Sequence, residues 1–538
     1  LTLLKVSDLR VTQGDRVIPI YVSGIGTQDT FNDQTYFQFF AKKTSSLYTD
    51  KSYYTLSFDS TQSNPVINEI SSPPRGNNFT YGYEKTVKLE RNEKYSYSSP
   101  IENEPWYDTR MIAVESPAQY YFNLKSDRKL SNSETANIHF KYWGGLDYSD
   151  DDKDHKVNFK LNGIELGYDE FNGITFRESS FSIPANSLRY SNEIEIELTA
   201  NTKNNVDLVN LESISLTYNS FLHSVNNELH FSHNEENFSV SGFFQPDVDI
   251  FAINNDGIYK LKNYKTRKEI NNTYYVEFSG LQGNTDYYML ANEKSLTPKL
   301  NISESRGVDL DPVKHLVITH PNFINRELSA YIDLTRSNYK IVNVEDIYHT
   351  YSMNSPNGDA IKSYIEDVAQ FGELESILII RGDTYDYKNY TGLNSVSFVP
   401  TIYRETDSLI KFSAVDSLFG DIDNDSIPDI PVGRLPVRTS RELKVILDKL
   451  ISYRNDVDDR SAVLAADDSE SLDAYQFTSI SNNIYNQLHE DGWSLKTAFL
   501  DDAPIDVVRD NIIAAMNDGV KLAIYTGHSS SKRWGFEG

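Results

Sequence analysis

Cysteine is absent from this chain of 538 residues. Disulfide bonds and thiol chemistry are therefore both excluded within these residues. Long apolar runs are absent as well, because no stretch approaches the roughly 18 residues that a membrane-spanning helix needs. The chain opens at Leu1 with a strand-like pattern and without a basic segment. We therefore expect that any secretory signal peptide has already been removed.

Positive charge is the second shortage. Lysine and arginine total 51 against 78 aspartate and glutamate residues, which gives a formal net charge of −27. The resulting negative field repels phosphate backbones and anionic lipid headgroups, so nucleic acid and membrane surfaces are poor candidates for partners. The same carboxylates suit a solvated secreted protein and offer ligands to hard cations such as Ca²⁺. The alternative is that the acidity only keeps the protein soluble.

Aromatic residues, by contrast, are abundant, with 36 tyrosines and 27 phenylalanines, and such side chains suit half-buried strand surfaces. Residues 157–161 and 164–166 alternate apolar and polar side chains around Asn162-Gly163, a pair typical of a type I′ hairpin turn. Residues 193–198 alternate strictly, with isoleucine and leucine on one face and glutamate on the other. These patterns predict all-β sandwich modules. The predicted divisions are a β module at 1–120, a β-sandwich at 121–220 and a small β module at 221–305.

The pattern changes after Gly307. Short apolar runs of the buried-strand type then alternate with stretches of helical periodicity. The runs lie at 315–319, 340–344, 377–380, 462–466 and 521–525. Such alternation predicts an α/β domain with a mainly parallel sheet at 306–538. In parallel sheets functional groups gather at the carboxyl ends of the strands, which selects the residues after Ile380, Ala466 and Tyr525.

Two of these strand ends carry residues suited to proton transfer. His528 follows Thr526-Gly527 at the end of the last apolar run, and its ring, with an ordinary pKa of about 6.5, exchanges protons near neutral pH. Asp467 and Asp468 follow Ala466, where a carboxylate can orient an imidazole or pair with a basic group of a substrate. The alternatives are a loop histidine without a role and a solvated acidic loop.

An acidic loop between 421 and 429 predicts a calcium site. Its carboxylates stand at relative positions 1, 3, 5 and 9, which is the spacing that begins EF-hand-type loops. The predicted ligands are the carboxylates of Asp421, Asp423, Asp425 and Asp429 and the backbone carbonyl of Ile427. Two positions depart from the standard loop, because Ser426 replaces the turn glycine and Val432 stands where a glutamate usually completes the site. A plain acidic surface loop is the alternative.

Three motifs in the C-terminal part of the chain occur together in one known family. The first is LAIYTGH at 522–528, followed by Trp534-Gly535 at the matching distance, the second is PDIPVGRLPVR at 428–438 and the third is IIRGDTYDY at 379–387. They resemble motifs of the gingipain-type cysteine peptidases, which have a caspase-like α/β fold. The resemblance covers the chain from about 308 onward, and the acidic loop before the second motif is frequent in the family. Ser529 departs from the pattern, because the family has glycine after the histidine.

The resemblance implies a cysteine endopeptidase that acts on protein or peptide substrates. His528 would be the general base, Gly527 or a neighbour would donate an oxyanion N–H, and Asp468, or alternatively Asp467, would support the histidine. In caspase-like folds the nucleophilic cysteine ends the strand after the histidine. We therefore expect it beyond Gly538 and expect the domain to be incomplete at its C-terminus.

The resemblance also implies a location and a competing role. Members of the family are bacterial proteins that are secreted or held at the cell surface, with the secretion machinery among their partners. The alternative function is a non-catalytic surface or secretion-associated protein that uses the same scaffold, and a sortase-like component of type IX secretion belongs with it. A cysteine at the end of the next apolar strand of the complete gene would favour the enzyme, and any other residue the scaffold.

Overall fold

Strands follow one another through the first 291 residues, where apolar and polar side chains alternate along the chain. The computed structural model describes residues 4–27, 29–61, 65–100, 104–130, 135–148, 153–200, 205–234, 236–291, 294–300, 307–454, 460–469, 476–530 and 533–535. The strands of the first part are β1 (Leu9–Gln13), β2 (Arg16–Val17), β3 (Ile20–Ser23), β4 (Tyr36–Phe39), β5 (Thr55–Phe58), β6 (Asn68–Ser71), β7 (Gly82–Leu89), β8 (Lys94–Tyr95), β9 (Trp106–Tyr107), β10 (Thr109–Val114), β11 (Ala118–Lys125), β12 (Thr135–Gly144), β13 (His155–Leu161), β14 (Ile164–Phe171), β15 (Phe176–Pro184), β16 (Ser191–Leu198), β17 (Val206–Phe221), β18 (Glu228–His233), β19 (Asn237–Phe243), β20 (Val248–Asn254), β21 (Gly257–Lys262), β22 (Lys265–Lys268), β23 (Tyr274–Ser279) and β24 (Thr285–Ala291).

The first sandwich has one sheet in the order β10-β17-β12-β15, with β7 also paired to β17, and a second in the order β11-β16-β13-β14. Strand β16 alternates as predicted, so that Ile194, Ile196 and Leu198 are fully buried in the core between the sheets. Each such side chain contributes about 1.5–3 kcal/mol through burial. The predicted hairpin is confirmed, because β13 and β14 pair across Asn162 and Gly163, which both have positive φ.

The second sandwich pairs strands in the orders β18-β24-β20-β21-β6 and β19-β23-β22. Aromatic rings fill much of its core, since Phe238, Phe278 and Tyr287 are each fully buried and lie in mutual contact. Smaller sheets, β2-β1-β5, β3-β4 and β8-β9, stand beside the sandwiches in the N-terminal segment.

The structure divides the β region differently from the predicted modules. Strands β7 and β10, from the predicted module 1–120, complete the first sandwich, while β6 pairs in parallel with β21 of the second. The predicted boundary at 120 therefore falls inside β11 and the boundary at 220 falls inside β17. Local periodicity locates strands but carries no information about these long-range pairings. The predicted boundary at 305 lies outside the described residues.

Helices enter the chain after residue 307. The elements are β25 (His315–Thr319), α1 (Arg326–Thr335), β26 (Tyr339–Asn343), α2 (Val344–Tyr351), α3 (Gly358–Ala369), β27 (Ser376–Ile380), β28 (Tyr403–Arg404), β29 (Ser413–Ala414), β30 (Val432–Leu435), α4 (Ser440–Arg454), β31 (Ser461–Ala466), α5 (Phe477–Glu490), β32 (Ser494–Phe499), α6 (Ile505–Asn517) and β33 (Leu522–Thr526). The first three helices each begin after an asparagine whose side chain accepts a backbone N–H of the first turn, namely Asn325, Asn343 and Asn357.

These elements belong to two compact units, Leu1–Lys444 and Val445–Gly538. In the first unit, β26-β25-β27-β30 form a parallel sheet whose core includes Ile318, Ile361 and Ile379. In the second unit, β32-β31-β33 form a parallel sheet. Helix α5 packs through Phe477 into one apolar cluster of this sheet, and α6 packs through Val508 into another.

The predicted fold class is confirmed, because all-β sandwich modules precede an α/β region with parallel sheets. The parallel pairing follows from the chain path, since each strand of these sheets is reached through a helical or long crossover connection. Within the described part of the chain, no helix combines the length and apolar character that crossing a bilayer requires.

Candidate active site

The candidate site lies at the carboxyl edge of the sheet in the second unit. Strands β31 and β33 are neighbours there, with Ala466 opposite Thr526 in the parallel register. The residues that follow the two strands are therefore brought side by side. The N–H of Asp467 donates to the carbonyl of Thr526 at 3.0 Å, so the pairing continues one residue past β31.

His528 is held by the carboxylate of Asp467 at two points. Oδ2 of Asp467 accepts the backbone N–H of His528 at 3.0 Å and lies 3.3 Å from Nδ1 of its ring. The Asp467 side chain is 1% exposed, whereas the histidine side chain is 31% exposed. Because a carboxylate accepts hydrogen bonds, this contact assigns the ring proton to Nδ1. Nε2 is then the unprotonated nitrogen, as a general base requires.

Two further residues restrict the histidine. Gly527 lies so close to Asp467 that a β-carbon on the glycine would stand 2.4 Å from the Cβ of the aspartate. Any larger residue at 527 would push the two strand ends apart. The ring of Phe477 packs edge-on against the imidazole, with centroids 5.1 Å apart and planes at 83°. The geometry gives Gly527 a steric role, and its oxyanion role stays a prediction.

The carboxylate beside His528 belongs to Asp467, the alternative in the sequence analysis, and not to Asp468. Successive side chains of an extended segment point to opposite sides, so only one of the two aspartates can face β33. The structure buries Asp467 and leaves Asp468 exposed. The N–H of Asp468 donates to Oδ1 of Asp467 at 3.2 Å, which adds a bond to the carboxylate that orients the ring.

Asp501, which follows β32 at the same edge, was not predicted from the sequence. Its carboxylate accepts the hydroxyl of Thr478 at 2.6 Å, and the N–H and hydroxyl of Ser469 at 2.9 and 2.8 Å. The Thr478 hydroxyl, followed by the Ser469 N–H, holds the pKa of Asp501 below its ordinary value. Asp501 thus ties the loop after Asp467 to the start of α5. The strand-end rule that selected Asp467 and His528 applies equally to Asp501.

The predicted calcium loop lies in the first unit. The structure brings carboxylate oxygens of Asp421, Asp423 and Asp429 within 4.8 Å of one another. Asp425 lies outside this group of three, and its Oδ1 accepts the N–H of Ile427 at 2.7 Å. The side chain of Ile427 is exposed, and the predicted role of its carbonyl stays a prediction.

The turn of this loop is built from residues in the left-handed region, since Asn424 has a φ of 62° and Ser426 a φ of 73°. Ser426 therefore adopts the conformation that glycine provides in standard loops, at some cost in strain. Asp421, 3% exposed in its side chain, accepts the N–H groups of Asp425 and Ser426 at 3.1 Å each. The ammonium of Lys362 lies 3.8 Å from Asp421, so part of the negative charge is already compensated. Clustered oxygens of this kind fit a hard cation such as Ca²⁺.

A histidine held by a buried carboxylate, at the carboxyl edge of a parallel sheet, is an arrangement suited to proton transfer. The model of peptidase family C25, the gingipain family, matches residues 309–538. This part of the chain is therefore similar to that family. A search of curated proteins finds no match to the sequence.

Among solved structures, the chain is similar to latent, dimeric PorU from Porphyromonas gingivalis, with a TM-score of 0.54 and 14% sequence identity. The match covers 83% of this chain and 47% of that one, so the chain spans about half the length of PorU. At this identity the likeness concerns the fold, which extends through the β region and the α/β region.

Two carbohydrate-binding modules also match parts of the chain, at a TM-score of 0.16 each and 14% identity. One is the CBM36-1 domain of a xylanase from the hindgut metagenome of Trinervitermes trinervoides, and the match covers 25% of this chain and 95% of that domain. The other is a family 35 module from an environmental isolate, with 26% and 97% covered. Scores of this size support no conclusion about fold or function.

Proposed function

We propose that the C25-family region of this chain supplies the general base of a secreted, gingipain-type cysteine endopeptidase. The observation that carries the proposal is the contact between His528 and the buried carboxylate of Asp467. The chain has no cysteine, so the thiol nucleophile of the proposed reaction is not among these 538 residues.

The proposed reaction is acyl transfer through a thioester. Nε2 of His528 takes the proton of the cysteine thiol, and the thiolate adds to the scissile carbonyl. The imidazolium then returns the proton to the departing amine, which leaves the acyl group on sulfur until water hydrolyses it. Asp467 holds the ring in the Nδ1-protonated tautomer and stabilises the imidazolium. Backbone N–H groups, with that of Gly527 as the candidate, would bind the oxyanion.

Partners and location follow from the same assignment. A peptidase of this family takes protein or peptide substrates, and the acidity of the chain gives no support to a nucleic-acid partner. We place the protein outside the bacterial cell or at its surface, with the secretion machinery as a partner during export.

The acidic loop is proposed to bind Ca²⁺ as a structural ion. Asp421, Asp423 and Asp429 would supply the carboxylate oxygens, supported by the grouping of these oxygens within 4.8 Å. Asp425 and the carbonyl of Ile427 would complete the shell by rearranging or through water. The ion would offset the repulsion between clustered anions that Lys362 compensates only in part.

The experiment uses the product of the complete gene and a set of peptide substrates. We expect hydrolysis that a thiol alkylator abolishes and that His528→Ala lowers by about 10³-fold or more. Circular dichroism should show that this variant keeps the folded state. Transfer of the acyl group to an added amine in preference to water would indicate a sortase-like transpeptidase. A gene product without cysteine, or hydrolysis that survives alkylation, would reject the peptidase and favour the non-catalytic scaffold.

A further inference from the structure

The loop that carries His528 turns back on the strand that it leaves. Ser529 and Trp534 form an antiparallel bridge, and the N–H of Ser530 donates to the carbonyl of Arg533 at 2.9 Å. The indole of Trp534 then stacks on the ring of Tyr525, with centroids 4.7 Å apart and planes 7° apart. The two rings join the end of the loop to β33, and we call this pair the tyrosine clamp.

The clamp ends on the backbone of the histidine. The hydroxyl of Tyr525 donates to the carbonyl of His528 at 2.6 Å, and the N–H of Gly535 donates to the same carbonyl at 2.7 Å. On its other side, the N–H of His528 donates to Asp467. Both backbone polar groups of His528 are therefore hydrogen-bonded. These bonds fix the direction of its Cα–Cβ bond independently of the contact between the ring and the carboxylate.

The path of the tyrosine depends on the residue between it and the histidine. A β-carbon at Gly527 would stand 2.4 Å from the hydroxyl oxygen of Tyr525, in addition to its clash with Asp467. The phenol thus crosses over a position that only glycine can occupy. The hydrogen bond between Tyr525 and His528 therefore depends on glycine at 527, because a side chain there would displace the phenol.

We propose that Tyr525 is a positioning residue for His528, and that Trp534 keeps its ring in place. The inference rests on the proposed function, since positioning matters for catalysis only if His528 is the base. A base must keep its nitrogen within hydrogen-bond reach of the group that it deprotonates. Stacking on Trp534 fixes the phenol ring, and the hydroxyl of that ring donates a hydrogen bond to the carbonyl of His528.

The first test needs no catalysis and uses the 538-residue chain. Tyr525→Phe keeps the stacked ring and removes only the hydroxyl. We expect hydrogen exchange at the amides of His528 and Gly535 to rise about tenfold, the size that loss of one such hydrogen bond produces. The matched control is Tyr485→Phe on α5, which removes a hydroxyl in the same unit and should leave both amides unchanged. Unchanged exchange in the Tyr525 variant would overturn the proposal.

The second test uses the complete gene product. Tyr525→Phe should lower kcat about tenfold while KM stays within about twofold, because the substrate contacts are untouched. In a His528→Ala background the same substitution should cause no further loss, since the two residues act as one unit. An equal loss in both backgrounds, or unchanged kcat, would show that the clamp is only structural. A complete protein without any thiol-dependent activity would overturn the proposed function, and the exchange experiment would still decide whether the clamp holds His528.

Discussion

The two parallel sheets of this chain carry different histidines at their carboxyl edges. His320 follows β25 in the first unit, where its Nδ1 accepts the N–H of Asn322 at 3.3 Å and its Nε2 lies 3.4 Å from Glu345. Its side chain is 13% exposed, and burial lowers its pKa although Glu345 acts in the opposite direction. His528, in the second unit, is 31% exposed and turns Nδ1 toward Asp467.

The comparison shows that position at a strand end does not by itself identify a base. Nδ1 of His320 accepts a backbone N–H and is therefore unprotonated. Nδ1 of His528 faces a carboxylate and therefore carries the proton. The two rings are thus opposite tautomers. His320 caps a turn and faces its own glutamate, whereas the tautomer of His528 is the one that leaves Nε2 basic.

The other strand ends of the first sheet also serve the fold. Arg381, with a φ of 144°, has its guanidinium over the rings of Phe323 and Phe398 at 4.7 and 3.7 Å. Asp386, 1% exposed, accepts the N–H groups of Tyr390 and Thr391 at 2.6 and 3.0 Å. The polar groups at this edge therefore serve to order the long segment between β27 and β28.

The largest expected effect separates the two histidines. In the complete gene product, His528→Ala should lower kcat/KM by about 10³-fold or more, since it removes the proposed base. His320→Asn keeps an acceptor for the turn and should leave kcat/KM within about twofold. Peptide hydrolysis by both variants measures the difference. Equal losses of kcat/KM would mean that the two histidines do not differ in function.

The second effect concerns the choice between neighbouring aspartates. Asp467→Asn keeps the size of the side chain but removes the charge that fixes the tautomer, so kcat should fall about 10²-fold. Asp468→Asn, one residue along and exposed, should change kcat by less than about threefold. A larger loss from the Asp468 variant would contradict the geometry and restore Asp468 as the supporting carboxylate, as the family resemblance favoured.

The ends of the strands could be predicted from the sequence, but the pairing between neighbouring strands could not. Periodicity located the apolar runs that become β25, β27, β31 and β33, and the residue order placed His528 after the last one. The choice of Asp467 over Asp468 depends on which side chain faces β33, which the parallel register decides and local sequence does not.

Local sequence also failed to predict the boundaries between the β modules and the positions of the carboxylates in the acidic loop. Strand β7 pairs with β17 more than a hundred residues later in the chain, and no local signal records that contact. In the acidic loop, the spacing predicted four carboxylate ligands, and the structure groups three of them. The fourth, Asp425, lies outside the group, and its Oδ1 accepts the N–H of Ile427, a bond that aspartates in tight turns commonly make.

The third expected effect concerns the stability of the first unit, where Asp416 pairs with Arg434. Burial raises the pKa of Asp416, but the hydrogen bonds and charge of Arg434 outweigh it, and the net pKa is lowered. A lowered pKa stabilises the fold above the ordinary value of about 3.9, and the contribution is lost as pH falls through the folded-state pKa. Asp416→Asn should therefore cost about 1.5–3 kcal/mol in free energy of unfolding at pH 7.

Urea denaturation followed across pH measures this contribution. The difference between wild type and Asp416→Asn should shrink below about pH 4 and vanish in stronger acid. Asp407→Asn, an exposed aspartate in the same region, is the matched control and should change stability by less than about 0.5 kcal/mol. A pH-independent difference would mean that packing and not the ion pair holds Arg434.

The smallest expected effect concerns the acidic loop, which differs from both sheet edges in having carboxylates grouped without a histidine. At a free Ca²⁺ concentration about tenfold above Kd, a structural ion would add about 1.4 kcal/mol to the stability of the folded state. Excess chelator should remove that increment and lower the melting temperature. Asp423→Ala should abolish the sensitivity to chelator, whereas Asp425→Ala should only reduce it, because Asp425 lies outside the cluster of three. Identical melting curves with and without chelator would reject the site. If both variants abolished the sensitivity to chelator equally, Ca²⁺ binding would draw Asp425 away from Ile427 and into the coordination shell.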